Sequence, residues 1–234
     1  MRCSIRAVFL FLICSLVCAQ TQPQADGGGN SVEGNHTAEP VSPIVTFTLD
    51  FPQSQPAHYS IRVAVEGPSR YQSTGRIARD SDETDSFDYD FALSGEMRDK
   101  IFRLARSAGH FQRDLDSHQK NLAFTGKKTL AYKDAGTTGE ATYNYASDPA
   151  ARDLTTLFQN LSATLEFGHR LDYDHRYQKL ALDEELKRMQ EMAHDNQLVE
   201  VATIQPILER IMADHSVMNV ARARAQQLLQ AAGR

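Results

Sequence analysis

The chain lacks tryptophan altogether, and its three cysteines, Cys3, Cys14 and Cys18, all fall within the first 18 of 234 positions. If that segment is removed on export, no thiol remains. Disulfide stapling, thiol nucleophiles and cysteine-ligated zinc or iron–sulfur centres are then excluded from the rest of the chain. Basic excess is lacking too. Asp and Glu number 30 against 25 Lys and Arg, for a net charge of −5. Removing Arg2 and Arg6 with the first nineteen residues leaves 23 basic groups and a net charge of −7. A nucleic-acid binder carries the opposite balance, as does a protein drawn to anionic lipid. No apolar run reaches the roughly 20 residues of a membrane-spanning helix. G-x-S-x-G, H-E-x-x-H, the P-loop and G-x-G-x-x-G are all missing as well. No cofactor is expected on these grounds.

What is present begins with a targeting segment. Arg2 and Arg6 precede the apolar "AVFLFLICSLV", the length of a secretory signal core. Val17 and Ala19 occupy the −3 and −1 positions of an A-x-A-like cleavage site, which predicts a signal peptide over 1–19 and a mature chain starting at Gln20. The rival is a lipoprotein acylated on Cys18, but Val17 stands where a lipobox has Gly or Ala. Localisation is therefore expected to be periplasmic or extracellular. Residues 20–43 are rich in Gly, Pro, Gln, Asn and Ser, and too poor in large apolar groups to offset the entropy of ordering them, so they read as a linker.

Period-2 alternation follows. Val45, Phe47 and Leu49 alternate with Thr46 and Thr48. Tyr59, Ile61, Val63 and Val65 oppose Ser60, Arg62, Ala64 and Glu66, and Phe87, Tyr89, Phe91 and Leu93 oppose Asp88, Asp90 and Ala92. Such segments are half-buried strands of an antiparallel sheet with one wet face, and "SRYQSTG" is expected to add a short partner strand. Ser94 is set to cap a helix striped by Met97, Ile101, Leu104, Ala105 and Ala108, with Gly109 beyond its end. Strands are expected near 128–133 and 140–145. Asp148 and Pro149 then open a helix striped by Leu154, Leu157, Phe158, Leu161 and Leu165. This order predicts an α+β domain over 44–166, a mainly antiparallel sheet with helices on one face. Beyond 167 only helical periodicity remains, which predicts a C-terminal all-helical segment over 167–234, with Pro206 starting or kinking one helix.

The most chemical stretch is "FGHRLDYDHRYQKL", residues 167–180. On a helix His169 and His175 point about 120° apart, which does not suit a shared metal. The stretch reads instead as a sandwiched junction helix with an Asp172–Arg176 i,i+4 pair. Its candidate partner-binding residues are His169, Arg170, Tyr173, Arg176 and Tyr177, since tyrosine and arginine are enriched at interface centres. Two other acidic stretches carry less. "RDSDETDSFDYD" lacks the glycine and the final glutamate of a calcium loop. "HFQRDLDSHQK" offers Asp114, Asp116 and His118 with no nucleophile tied to them.

In "VTFTLDFPQSQPAHYSIRVAVEGPSRYQSTG", "AFTGKKTLAYKDAGTTGEATYNY" and the stretch from Leu154 to Met192, the chain resembles a family of hypothetical secreted bacterial proteins, over about residues 44–232. The resemblance implies export and a bacterial origin and carries no activity or site residue. The expectation is a non-catalytic binding protein of the cell envelope whose partner is another envelope protein. The alternative is an envelope hydrolase that assembles Asp, Glu and His groups, among them Asp114, Asp116, His118, His169 and His175, in space.

Overall fold

A computed structural model describes residues 42–76 and 84–232. The expected signal peptide, nearly all of the linker, and Asp80 and Asp82 of the acidic loop lie outside the described residues.

Six strands form one sheet: β1 (Ile44–Asp50), β2 (His58–Ala64), β3 (Ser69–Arg76), β4 (Thr84–Phe91), β5 (Lys127–Lys133) and β6 (Thr138–Tyr143). Their spatial order is β4-β3-β2-β1-β5-β6, and every pairing is antiparallel. The alternation in the sequence dictates the two faces. Phe47 pairs with Ile61 and Leu130, and Tyr71 with Ile61 and Tyr89, so one row of apolar and aromatic side chains crosses five strands. The opposite face is wet. There Arg70 is ion-paired with Asp88, and the hydroxyls of Thr129 and Thr142 are 2.9 Å apart.

The helices cover the apolar face. Between β4 at one edge and β5 beside β1 the chain crosses as α1 (Gly95–Ser107), followed by a short 3-10 turn, Gly109–Phe111. Ser94 Oγ accepts from the Met97 amide, as a capping serine should, and Gly109 takes φ +66° just past the helix end, where a side chain would be strained. α2 (Pro149–Tyr177) is capped by Asp148 through the Ala151 amide. Its 29 residues make it about 43 Å long. Leu154, Phe158, Leu161 and Leu165 face the sheet, where Phe158 stacks on Phe47 with centroids 5.3 Å apart.

α3 (Leu182–His194), a 3-10 turn (Val201–Ile204) and α4 (Gln205–Ala213) pack on α2, and α5 (Asn219–Ala232) packs on α3 and α4. The α+β architecture with a helical C-terminal stretch is as the periodicity predicts. The break anticipated at residue 166/167 is not a structural boundary, because α2 runs through it without interruption. The stripe changes character there, from aliphatic to aromatic and charged, while nothing stronger than Gly168 interrupts the backbone. The chain does turn at 178–181, so the side chains from Leu171 to Met189 belong to two helices. Pro206 lies in the first turn of α4, which it starts rather than kinks.

Candidate functional site

From Leu161 to Gly168 every residue of α2 except Ala163 is buried, because the sheet lies on one side and the later helices on the others. Polar side chains at such positions need partners within the protein. Glu166 Oε1 accepts hydrogen bonds from Tyr71 Oη and Ser73 Oγ, each at 2.7 Å, and Ser162 Oγ lies 2.9 Å from the same phenol. Burial, then the neighbouring carboxylate, raises the Tyr71 phenol well above its usual range and keeps it a neutral donor. The second Glu166 oxygen faces Arg170 Nη1 at 3.9 Å. Arg170 Nε donates in turn to Glu185 at 2.6 Å, and Glu185 also pairs with Arg188. Both guanidiniums lie over the Phe167 ring, 4.7 and 5.7 Å from its centroid.

Two clefts flank this part of α2. The first, of about 500 Å³, opens towards α3 and the β1–β2 loop. Leu49, Pro56, Tyr59, Phe167 and Met192 give it apolar walls, and Glu166, Arg170 and Arg188 bring charge. The second, of about 310 Å³, lies between α2, β4 and the start of α4. Its floor is aromatic. The His169 ring stacks on Phe87 at 4.0 Å with a 5° interplanar angle, and Phe87 stacks in turn on Tyr89 at 5.7 Å. Tyr89 Oη donates to the Thr203 carbonyl, which fixes its ring. Burial pushes the His169 imidazole below its ordinary pKa, so near neutral pH it is an uncharged ring, with Nε2 3.3 Å from Asp85. Gly168 is what lets Ile204 close the inner wall. A Cβ at that position would lie 2.5 Å from Ile204 Cγ2. At the rim, Asp172 holds Arg176 at 2.7 Å through one oxygen and Arg210 at 2.5 Å through the other.

The five residues proposed for partner binding lie on one helix, none of them fully buried, and are spread over both clefts and the arc between them. His169 and Arg176 line the second cleft and Arg170 the first. Tyr173 and Tyr177 line neither. Their rings contact one another, with centroids 5.0 Å apart, and Tyr177 is 69% exposed. At 100° per residue the five span about 120° of α2, with Tyr173 and Tyr177 on the arc between the two clefts.

The acid and imidazole groups singled out for a hydrolase have other employment. Asp114 and His118 are 2.6 Å apart on an open loop, where Asp114 holds the His118 side chain above its ordinary pKa. Asp116 accepts from the His118 and Asn144 amides and so shapes that loop. His175 lies 3.0 Å from Asp214, which also takes Lys179 at 2.7 Å, an arrangement that fastens the end of α2 to the α4–α5 turn.

Tyr71, Ser73, Ser162 and Glu166 escaped the sequence reading, as did Phe87, Tyr89 and Arg210 as cleft residues. One signal was available. Ser73 stands with Tyr71 on the inward face of β3, where hydroxyls call for a buried acceptor. Compared with known proteins, the chain matches no family model, no curated protein and no solved structure.

Proposed function

We propose that this chain is an exported, non-catalytic binding protein of the bacterial cell envelope. Its partner, another envelope protein, lies along the outer half of α2. One observation carries the reading. The clefts on either side of α2 combine apolar or aromatic walls with guanidinium groups already fixed by carboxylates. Anchored side chains lose little freedom when a partner docks, and arginine beside aromatic rings is the composition of interface centres. Arg170 and Arg188 stand on one flank of the helix, and Arg176 and Arg210 on the other. A partner that straddles α2 would meet both pairs.

The test uses the full exported chain. Arg170→Ala and Arg176→Ala, made separately and together, are compared with wild type for capture of a partner from envelope extract. Stability is followed by melting temperature. Capture that falls stepwise while the fold persists supports the reading. Undiminished capture by the double variant would place the interface elsewhere.

A further inference from the structure

The second cleft has a chemistry narrower than general protein binding. We propose that it binds a carboxylate carried on a single ring-sized apolar group, with the ring against the floor that Tyr89 forms beside the His169–Phe87 stack and the carboxylate across Arg176 and Arg210. This deepens the binding reading above and rests on it.

Charge is the first support. Arg176 and Arg210 share one acid, Asp172, so the rim holds two guanidiniums against one carboxylate. Each spends a single nitrogen on Asp172, and the described residues engage none of their other N–H groups. A guanidinium has five donors in a planar fork suited to a carboxylate, so both can serve a second anion without releasing the first. His169 adds no charge near neutral pH, and Asp85, its polar neighbour, lines the adjoining small cavity rather than this cleft.

Size and lining are the second support. About 310 Å³ is at the low end of the range for ligand cavities, and corresponds to roughly ten water volumes. That accommodates one ring and a short carboxylate arm but no lipid chain. The floor is rigid, since His169, Phe87 and Tyr89 form a continuous stack and Tyr89 is tethered to Thr203. Leu165, Ile204 and Ile207 complete apolar walls against which a ring is desolvated.

A free aromatic acid and the C-terminal residue of a partner polypeptide present the same chemistry. Titrations of the full chain with N-acetyl-phenylalanine, 3-phenylpropionate and a hexapeptide ending in phenylalanine, followed by NMR, address both sources. N-acetyl-phenylalaninamide is the neutral control. Expected are shifts at the Ile204 and Ile207 methyls, an affinity about tenfold weaker for the amide, and about tenfold weaker acid binding in Arg176→Gln or Arg210→Gln, the loss of one charge-assisted contact. A hexapeptide tighter than N-acetyl-phenylalanine identifies a polypeptide C-terminus, and equal affinities a small acid. Either supports the proposal. It is overturned if the amide binds as well as the acid, if the arginine variants bind normally, or if no probe moves the isoleucine methyls. Partner capture that survives such a result would leave the broader binding reading standing. Lost capture beside intact acid binding would do the reverse.

Discussion

Tyr71 Oη lies 2.7 Å from Glu166 Oε1, across 95 positions of sequence, and ties the third strand to the middle of the long helix. Ser73 donates to the same oxygen, so one buried carboxylate oxygen gathers two strand hydroxyls. The contact sets the height of α2 above the sheet, and with it the position of both clefts.

Removal of this acceptor should cost more than removal of either donor. Glu166→Leu leaves the Tyr71 and Ser73 hydroxyls buried without their acceptor, an expected loss of about 3 kcal/mol. Tyr71→Phe removes one hydrogen bond to a charged group and should cost about 1.5–3 kcal/mol. Urea unfolding of the two single variants and the double variant forms the check. The double variant should lose less than the sum of the singles, because each change already disables the same contact. Strict additivity would mean that the residues do not interact.

Asp174 carries a signature in pH. Burial, reinforced by the nearby Glu185 carboxylate, raises its pKa from 3.8 to about 6, against a smaller opposing effect of Arg170. The folded chain therefore binds a proton between about pH 6 and 4 that the unfolded chain releases, and this group's contribution to stability improves as pH falls through that window. At pH 7 the ionised group destabilises the fold by about 1 kcal/mol, once its partial exposure to solvent is allowed for. Asp174→Asn should raise the melting temperature at pH 7 by about 2–4 °C, with the gain shrinking towards pH 4. A gain independent of pH would reject the titration as its cause.

Gly168 should resist a change that helix propensity favours. Alanine is the better helix former by about 1 kcal/mol, yet its Cβ would stand 2.5 Å from Ile204 Cγ2 and 3.2 Å from Ile204 Cβ. Gly168→Ala is expected to destabilise by about 1–3 kcal/mol through overpacking. Ile204→Ala introduced with it should recover part of that loss. Thermal melts of the single and double variants decide the matter, and a stabilised single variant would show that the turn before α4 yields easily.

Much of the fold is legible in the sequence because it rests on local periodicity. Val45, Phe47 and Leu49 announce an inward face, and Ser94 and Asp148 announce helix starts. The site is less legible, for two physical reasons. Glu166, Ser162 and Thr164 look like the wet side of a helix, but Glu166 and Ser162 meet hydroxyls of β3 and Thr164 is covered by the chain at Val199. Tyr71 and Glu166 are brought together by topology, which no spacing rule encodes. His169, Arg170, Tyr173, Arg176 and Tyr177 share about 120° of the helix and all keep some exposure, but periodicity does not show that two clefts divide them. Helical periodicity beyond 167 was right, but it cannot mark a boundary when one helix serves both the sheet and the terminal helices.

Tyr177 separates a contact face from packing. With 69% exposure its ring has little to lose on truncation, so Tyr177→Ala should leave the melting temperature nearly unchanged. Leu171→Ala, six positions earlier and fully buried, should cost about 2–5 kcal/mol. A comparable loss from Tyr177→Ala would mean that this end of α2 is packed in solution.

The central claim is that the outer half of α2 is where this protein meets its partner. A photo-crosslinking residue placed in the full chain at Arg176, on the rim of the second cleft, tests it most directly, with the same residue at Arg62 on the open face of the sheet as the reference. The account predicts a discrete covalent adduct with an envelope protein from position 176 and little from position 62. Equal adducts from both positions, or an adduct from position 62 alone, would contradict it.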